Sequence, residues 1–253
     1  MNPRFFGDTA VMLKRSLRHI LRSPDTIITT AVMPIAFLLL FRYVLGGAIK
    51  AGPGNYTTYL MPGVLLIAIA SGISYTAYRL FQDMQAGIFE RFNSMPIARS
   101  AVLWGHVLTS LVANAISVVI IIAVGLLMGF RSSAGVLPWL AVTGILTLFT
   151  LTLTWLAMIA GLTAKSTDGA SAFAYPLILL PFISSAFVPT ATMAGPVRAF
   201  AENQPVTSIV NTIRDLLSQQ PTGTAIWIAL AWCAGVLLVS YTFAMLAYRR
   251  KIA

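Results

Sequence analysis

Charge is scarce in this chain. Of its 253 residues only 9% are Asp, Glu, Lys or Arg, and the acids number 7 against 17 bases. A soluble domain carries about a quarter charged residues. The shortage, with 58% hydrophobic residues and a mean hydropathy of +0.83, excludes an ordinary soluble globule and points to a polytopic membrane protein. Cysteine is nearly absent. The single Cys233 sits inside an apolar run, which leaves neither a disulfide framework nor a thiolate metal site. The two histidines, His19 and His106, are too far apart to show a ligand spacing. The net charge of +10 reads as basic residues gathered on the cytoplasmic side of a membrane, not as a nucleic-acid footprint.

Other absences narrow the function. There is no G-x-x-x-x-G-K-[ST] loop, no H-E-x-x-H and no G-x-S-x-G. The polar residues inside the apolar runs, among them His106, Asn114, Ser71, Ser74 and Ser184, have no carboxylate partner within those runs, so they read as helix–helix hydrogen-bonding groups and not as a hydrolase site. No run carries an Asp, Glu or Lys at its centre, as a proton- or sodium-coupled pump would require. The N-terminus is basic and amphipathic ahead of the first apolar run, unlike a cleavable signal peptide.

What is present is a run of six apolar segments, 27–45, 59–80, 102–130, 136–164, 170–188 and 224–248, in one transmembrane domain covering 1–253. About 20 apolar residues cross roughly 30 Å of hydrocarbon, and each run approaches or exceeds that length. The spacing predicts an all-α membrane protein with six transmembrane helices. Five bases, Arg42, Lys50, Arg131, Arg198 and Arg214, fall on one side; the remaining twelve of the 17 fall on the other, with both chain ends. The asymmetry places both termini in the cytoplasm of a multi-pass plasma-membrane protein. Ahead of the first run, within 1–26, Leu13, Leu17 and Ile20 share one helical face and Arg15, Arg18 and Arg22 the other, with Lys14 nearby. That is the pattern of a helix lying among anionic lipid headgroups.

Two polar stretches interrupt the apolar frame. In Gln82–Ser100, at about 100° per residue, Phe81, Met84, Ile88, Phe92 and Met95 form one stripe, with Asp83, Glu90 and Ser94 opposite and Arg91 at the edge. Pro96 ends the pattern, so the expected helix covers 82–96 along the cytoplasmic surface. It reads either as a solvated connector or as a contact that takes a push from a partner. In 189–223, Pro196–Glu202 and a segment beginning at Pro205 read as two short amphipathic helices, which cap a cavity or dip back into the membrane. The pieces outside the membrane, Met1–Thr26 and Pro189–Gly223, are shorter than the roughly 40 residues at which a domain folds unaided. Energy for uphill transport must therefore come from another subunit.

These residues carry a resemblance. Ser23–Gly47 (SPDTIITTAVMPIAFLLLFRYVLGG), Tyr59–Gly63 (YLMPG), Gly87–Ser100 (GIFERFNSMPIARS) and the stretch from Phe187 to Leu217 around Pro205, Ser208 and Arg214 resemble, in order, the ABC-2 type permeases, the membrane subunits of ABC exporters, and the daunorubicin-resistance type in particular. The resemblance implies an N-terminal interfacial helix, six spans, a cytoplasmic coupling helix after the second span and two short helices on the outer side after the fifth. It also implies a pair of permeases, of one chain or of paralogues, working with two ATPase subunits that carry the ATP and Mg. This chain then needs no cofactor of its own. By the family pattern Asp83, Met84, Gly87, Ile88, Phe89, Glu90 and Arg91 form the ATPase contact.

The implied activity is export of a hydrophobic or amphipathic compound, a drug, antibiotic or lipid. Ser71, Tyr75 and Tyr78, with Phe173, Tyr175, Phe182 and Ser185, are candidate lining residues, because aromatic and hydroxyl groups on apolar walls suit such cargo. The alternatives are an ABC-2 permease for lipid-linked polysaccharide and a membrane scaffold or sensor that moves nothing.

Overall fold

A helix that is apolar around its whole circumference is covered either by protein or by lipid. The second apolar run contains such a stretch: every residue from Leu60 to Ala70 is buried. The computed structural model describes residues 24–47, 55–87 and 99–252, and within them every regular element is a helix. Helix α1 (Pro24–Leu39) continues as one widened π turn, Leu40–Leu45. Then follow α2 (Tyr56–Gln85), α3 (Arg99–Leu127), α4 (Val136–Thr163), α5 (Thr167–Ala172), α6 (Ala174–Leu179), α7 (Gly195–Asn203), α8 (Pro205–Leu217) and α9 (Ala225–Ile252). Helix α2 is the axis, packed against α1, α3, α4, α5, α6 and α8, while α9 lies against α4 and α8.

Four of these helices, α2, α3, α4 and α9, are long and apolar enough to cross a membrane; Ala31–Leu45 and Thr167–Ile183 are shorter apolar pieces. Lipid tails are as apolar as leucine, so helices in a bilayer are joined by packing and hydrogen bonds and not by the hydrophobic effect. Both occur here. Between α2, α3 and α4 a polar seam runs from Thr76 Oγ1 to Ser110 Oγ and on to Thr154 Oγ1, each step 3.1 Å. Thr152 donates to the Cys233 carbonyl at 3.1 Å and ties α4 to α9. Trp155 of α4 is fully buried, edge-on to Trp104 of α3 and Tyr241 of α9.

The second and fifth apolar runs depart from their expected bounds. Helix α2 does not stop near residue 80 but runs to Gln85, so Asp83 and Met84 stand in its last turn and Gly87 follows in the left-handed region (φ +65°). The expected surface helix over 82–96 therefore does not begin as a separate element. Its first turn belongs to α2, and residues 88–98 lie outside the described residues. The segment 170–188 is not one helix: α5, α6 and a 3-10 turn, Leu180–Ile183, follow in succession, and Ser184 is extended. Pro176 and Pro181 interrupt the backbone ladder there. The Ser184 hydroxyl donates to the Pro181 carbonyl and accepts from the Ala186 amide, which turns the chain out of the helical path.

Candidate functional site: the break in the fifth apolar segment

Backbone that leaves a helix inside a membrane protein needs new partners, because each unpaired group costs several kcal/mol in hydrocarbon. At residues 180–187 those partners are side chains from distant elements. Gln204, at the start of α8, donates to the carbonyls of Leu180 and Ile183. The Ser185 carbonyl accepts from Arg214 Nη2 at 2.7 Å and from the Tyr59 hydroxyl at 2.9 Å. The Phe187 carbonyl accepts from the Tyr56 hydroxyl at 2.9 Å, and the Ser185 amide donates to Thr207 Oγ1 at 3.4 Å. The break is thus stitched to α2 and α8.

Why these residues reach it follows from local structure. Asn55 caps α2 by accepting from the Thr57 amide, which sets Tyr56 and Tyr59 in the first turn of that helix, with their rings stacked 6.2 Å apart. Gly63 lies one turn further along, where a Cβ would sit 2.6 Å from the Ala186 Cβ; only a glycine lets the broken segment approach so closely. Helix α8 starts at Pro205 and buries Val206, Ile209, Val210, Ile213 and Leu217, which aims the opposite edge, Asn211 and Arg214, at the break.

Arg214 is the hub. Its guanidinium lies 3.8 Å from the centroid of the Tyr59 ring, donates to Asn211 Oδ1 at 2.9 Å, and reaches the Tyr59 carbonyl at 3.4 Å. Asn211 in turn accepts from the Ser185 hydroxyl at 2.7 Å. Burial lowers the Arg214 pKa from its ordinary value, while Tyr59 and Asp215 favour the charged form, and its N–H groups are taken up by Asn211 Oδ1 and two carbonyls. Asp215 next to it is pushed up by burial and drawn back by Arg214. On α7 Arg198 bonds Glu202 at 2.7 Å and holds that carboxyl below the usual range.

The expected lining residues divide between two places. Ser71, Tyr75 and Tyr78 lie half-buried on one face of α2, beside α5, to which Ser74 donates through the Ser171 carbonyl at 3.1 Å. Tyr75 and Tyr78 stack 6.2 Å apart, Arg79 lies over the Tyr75 ring at 5.8 Å, and Gln82 bonds the Tyr78 hydroxyl. Phe173 is half-buried and Tyr175 exposed on the broken segment. Phe182 is elsewhere: it packs with Phe187 (5.1 Å) against Phe37 and Phe41 of the first apolar helix, in a cluster that holds the break from its other side. Ser185 is buried within the Arg214 network.

At the far end of α2, Asp83 Oδ2 lies 3.2 Å from His106 Nε2 of α3. The carboxylate partner that the sequence denied His106 exists, because α2 runs past its expected end and carries Asp83 alongside α3. Ile88, Phe89, Glu90 and Arg91, like Lys14, Arg15, Arg18 and Arg22, lie outside the described residues. Pro205 and Ser208 take part only as the first turns of α8. Sequence reasoning missed Tyr56, Gln204, Thr207 and Asn211. Asn211 stands three residues before Arg214, a spacing that signals neighbours on a helix face; the others had no local signal.

The family model of the ABC-2 type transporter matches residues 8–217. The chain belongs to the ABC-2 type transporter family. This ABC-2 protein is 28% identical to a daunorubicin resistance ABC transporter permease of Streptomyces coeruleorubidus, over 97% of its own length and 87% of the relative's. It is 22% identical to a probable doxorubicin resistance ABC transporter permease from two strains of Mycobacterium tuberculosis, over 97% of its length and 90% of theirs. The matched region of the ABC-2 chain ends at Leu217, the last residue of α8, and so takes in the whole stitched break.

Proposed function

We propose that the chain is the membrane subunit of an ATP-driven exporter that moves a hydrophobic or amphipathic compound out of the cytoplasm or the inner leaflet. The single observation that carries this reading is the fifth segment, broken within the bundle and held by side chains instead of by its own ladder. Side-chain bonds to carbonyls rearrange without unwinding a helix, so the junction is suited to open and reclose as the subunit changes state. The relatives named for daunorubicin and doxorubicin resistance support a drug of that kind as cargo, and the stacked Tyr75–Tyr78 face of α2 suits an aromatic amphipathic molecule.

In this reading six segments cross the bacterial plasma membrane with both termini cytoplasmic, and α7, α8 and the break face outward. The basic N-terminal helix rests on the inner headgroups. Two ATPase subunits, carrying ATP and Mg, grip segment 82–96, and a second permease, identical or paralogous, completes the path. Nucleotide-driven closure of the ATPases pushes the segment and reorients the spans. Reconstitution of the chain with an ABC ATPase in liposomes tests it: daunorubicin leaves the ATPase-facing side only when ATP is hydrolysed. Flux that is indifferent to ATP, or that persists without the ATPase, overturns it.

A further inference from the structure

We infer that the end of α2 binds the phosphate of an anionic phospholipid. Arg79, with the Tyr78 hydroxyl beside it, forms a headgroup site at the boundary of the hydrocarbon, next to the aromatic face proposed for cargo.

Length sets the depth. Helix α2 has 30 residues and spans about 45 Å, against roughly 30 Å of hydrocarbon. With the excess shared between its ends, Arg79 and Gln82 fall where lipid tails give way to headgroups. At about 100° per residue Ser71, Ser74, Tyr75, Tyr78, Arg79 and Gln82 share one face, half-buried or exposed, while Ile73, Ala77, Leu80 and Phe81 form the opposite, buried face. Open faces elsewhere carry apolar side chains, such as Val32, Met33 and Leu39 on α1 and Leu238, Val239 and Phe243 on α9. The open face of α2 is polar instead, and polar groups so placed need partners that lipid tails cannot supply.

The groups at that depth are donors. Arg79 carries a planar, charged fork of N–H groups that fits a phosphate. Its Cζ lies 5.8 Å from the centre of the Tyr75 ring, itself stacked 6.2 Å from Tyr78, so the aromatic pair supports the guanidinium on the open side of the helix. The Tyr78 hydroxyl accepts from Gln82 Nε2, which leaves its own proton free to donate. A second cation stands at this level. Gly161 of α4 packs against Ala77 and Leu80, and Ser74 donates to the Ser171 carbonyl of α5, so the turn between α4 and α5, with Lys165 exposed on it, lies beside the end of α2. Of the acids at this end, Asp83 has its Oδ2 3.2 Å from His106 Nε2 of α3, and Asp168 is exposed in the first turn of α5. The occupant needs an anion for Arg79 and an apolar body for the hydrocarbon below it. A phospholipid supplies both, and free phosphate only the first.

The test uses the full chain in phosphatidylcholine bilayers with a trace of spin-labelled phosphatidylglycerol or spin-labelled phosphatidylcholine, and reads how strongly the protein immobilises each label. The parent chain should prefer phosphatidylglycerol, whose phosphate has no counter-charge in its own headgroup, by about fivefold. Arg79→Gln should bring the preference close to one while the phosphatidylcholine label is immobilised as before, which shows that the variant is folded. Arg249→Gln, which removes an exposed cation from the last turn of α9, should leave the preference intact. No preference in the parent, an unchanged preference in Arg79→Gln, or an equal loss in Arg249→Gln overturns the site, the last because diffuse surface charge then explains the binding. Displacement of the lipid label by inorganic phosphate identifies a free-anion site and overturns the lipid assignment. The measurement needs neither ATPase nor cargo, so its failure is distinct from a failure of the exporter reading.

Discussion

The Arg214 guanidinium lies 3.8 Å from the centre of the Tyr59 ring while it donates to the Ser185 carbonyl, which the Tyr59 hydroxyl also reaches. One cation thereby joins the start of α2, the edge of α8 and the break in the fifth segment. Arg214→Lys keeps the charge but loses the planar fork that serves several acceptors. Export should fall about tenfold in Arg214→Lys and more in Arg214→Leu, each with loss of on the order of 2 kcal/mol of stability from unpaired buried acceptors. Efflux and thermal unfolding in nanodiscs measure the two effects.

The contact of Gly63 with Ala186 predicts a suppressor. Gly63→Ala places a methyl 2.6 Å from the Ala186 Cβ, and overpacking of this kind costs about 1–3 kcal/mol. Ala186→Gly in the same chain should return most of the lost melting temperature. Absence of rescue would show that the two backbones do not meet as described.

The polar seam predicts a smaller, local loss. Thr154→Val leaves Ser110 with one partner fewer across the helices, and hydrogen bonds between membrane helices contribute about 0.6 kcal/mol each, rarely above about 1.7. Unfolding in bicelles should show a loss in that range. Paired with Ser110→Ala, the double variant should cost less than the sum of the singles.

Acid stability separates two carboxyls by sign. Glu202 is held below its ordinary pKa of 4.5, so it stabilises above that value and the contribution is lost as pH falls through the lowered one. Asp215 is raised above 3.8 by burial, so the folded chain binds its proton first and stability rises as pH falls through the raised value. Asp215→Asn should therefore steepen acid unfolding, and Glu202→Gln should flatten it, as read from melting temperatures taken stepwise between about pH 6 and pH 3.5.

Glu90→Lys reverses the charge on segment 82–96. It should abolish export and weaken co-purification of the ATPase while membrane insertion stays intact, because no apolar span is altered. Normal efflux by this variant would count against the contact.

Much of the frame was legible in the residues. The apolar runs 59–80, 102–130, 136–164 and 224–248 each hold a helix long and apolar enough to cross a membrane, and Pro196 and Pro205 stand at the first turns of α7 and α8. The end of α2 was not legible, because Asp83 looks like a surface residue when its neighbour on α3, His106, is unknown. Nor was the sorting of the aromatics. Tyr75 and Phe182 have the same kind of sequence neighbourhood, yet one lies on a half-open face of α2 and the other inside the Phe37–Phe41–Phe187 cluster.

Composition and periodicity by themselves determined that this is a helical membrane protein without a nucleotide loop of its own, since hydropathy and helical spacing are properties of neighbouring residues. The tertiary structure alone decided that the fifth run breaks and what repairs it. Its repairing bonds join residues far apart in the chain, Tyr59 to Ser185 across 126 positions and Tyr56 to Phe187 across 131. A carbonyl freed by a proline has no preference of its own among distant donors; the packing of α2 and α8 brings the right ones within reach.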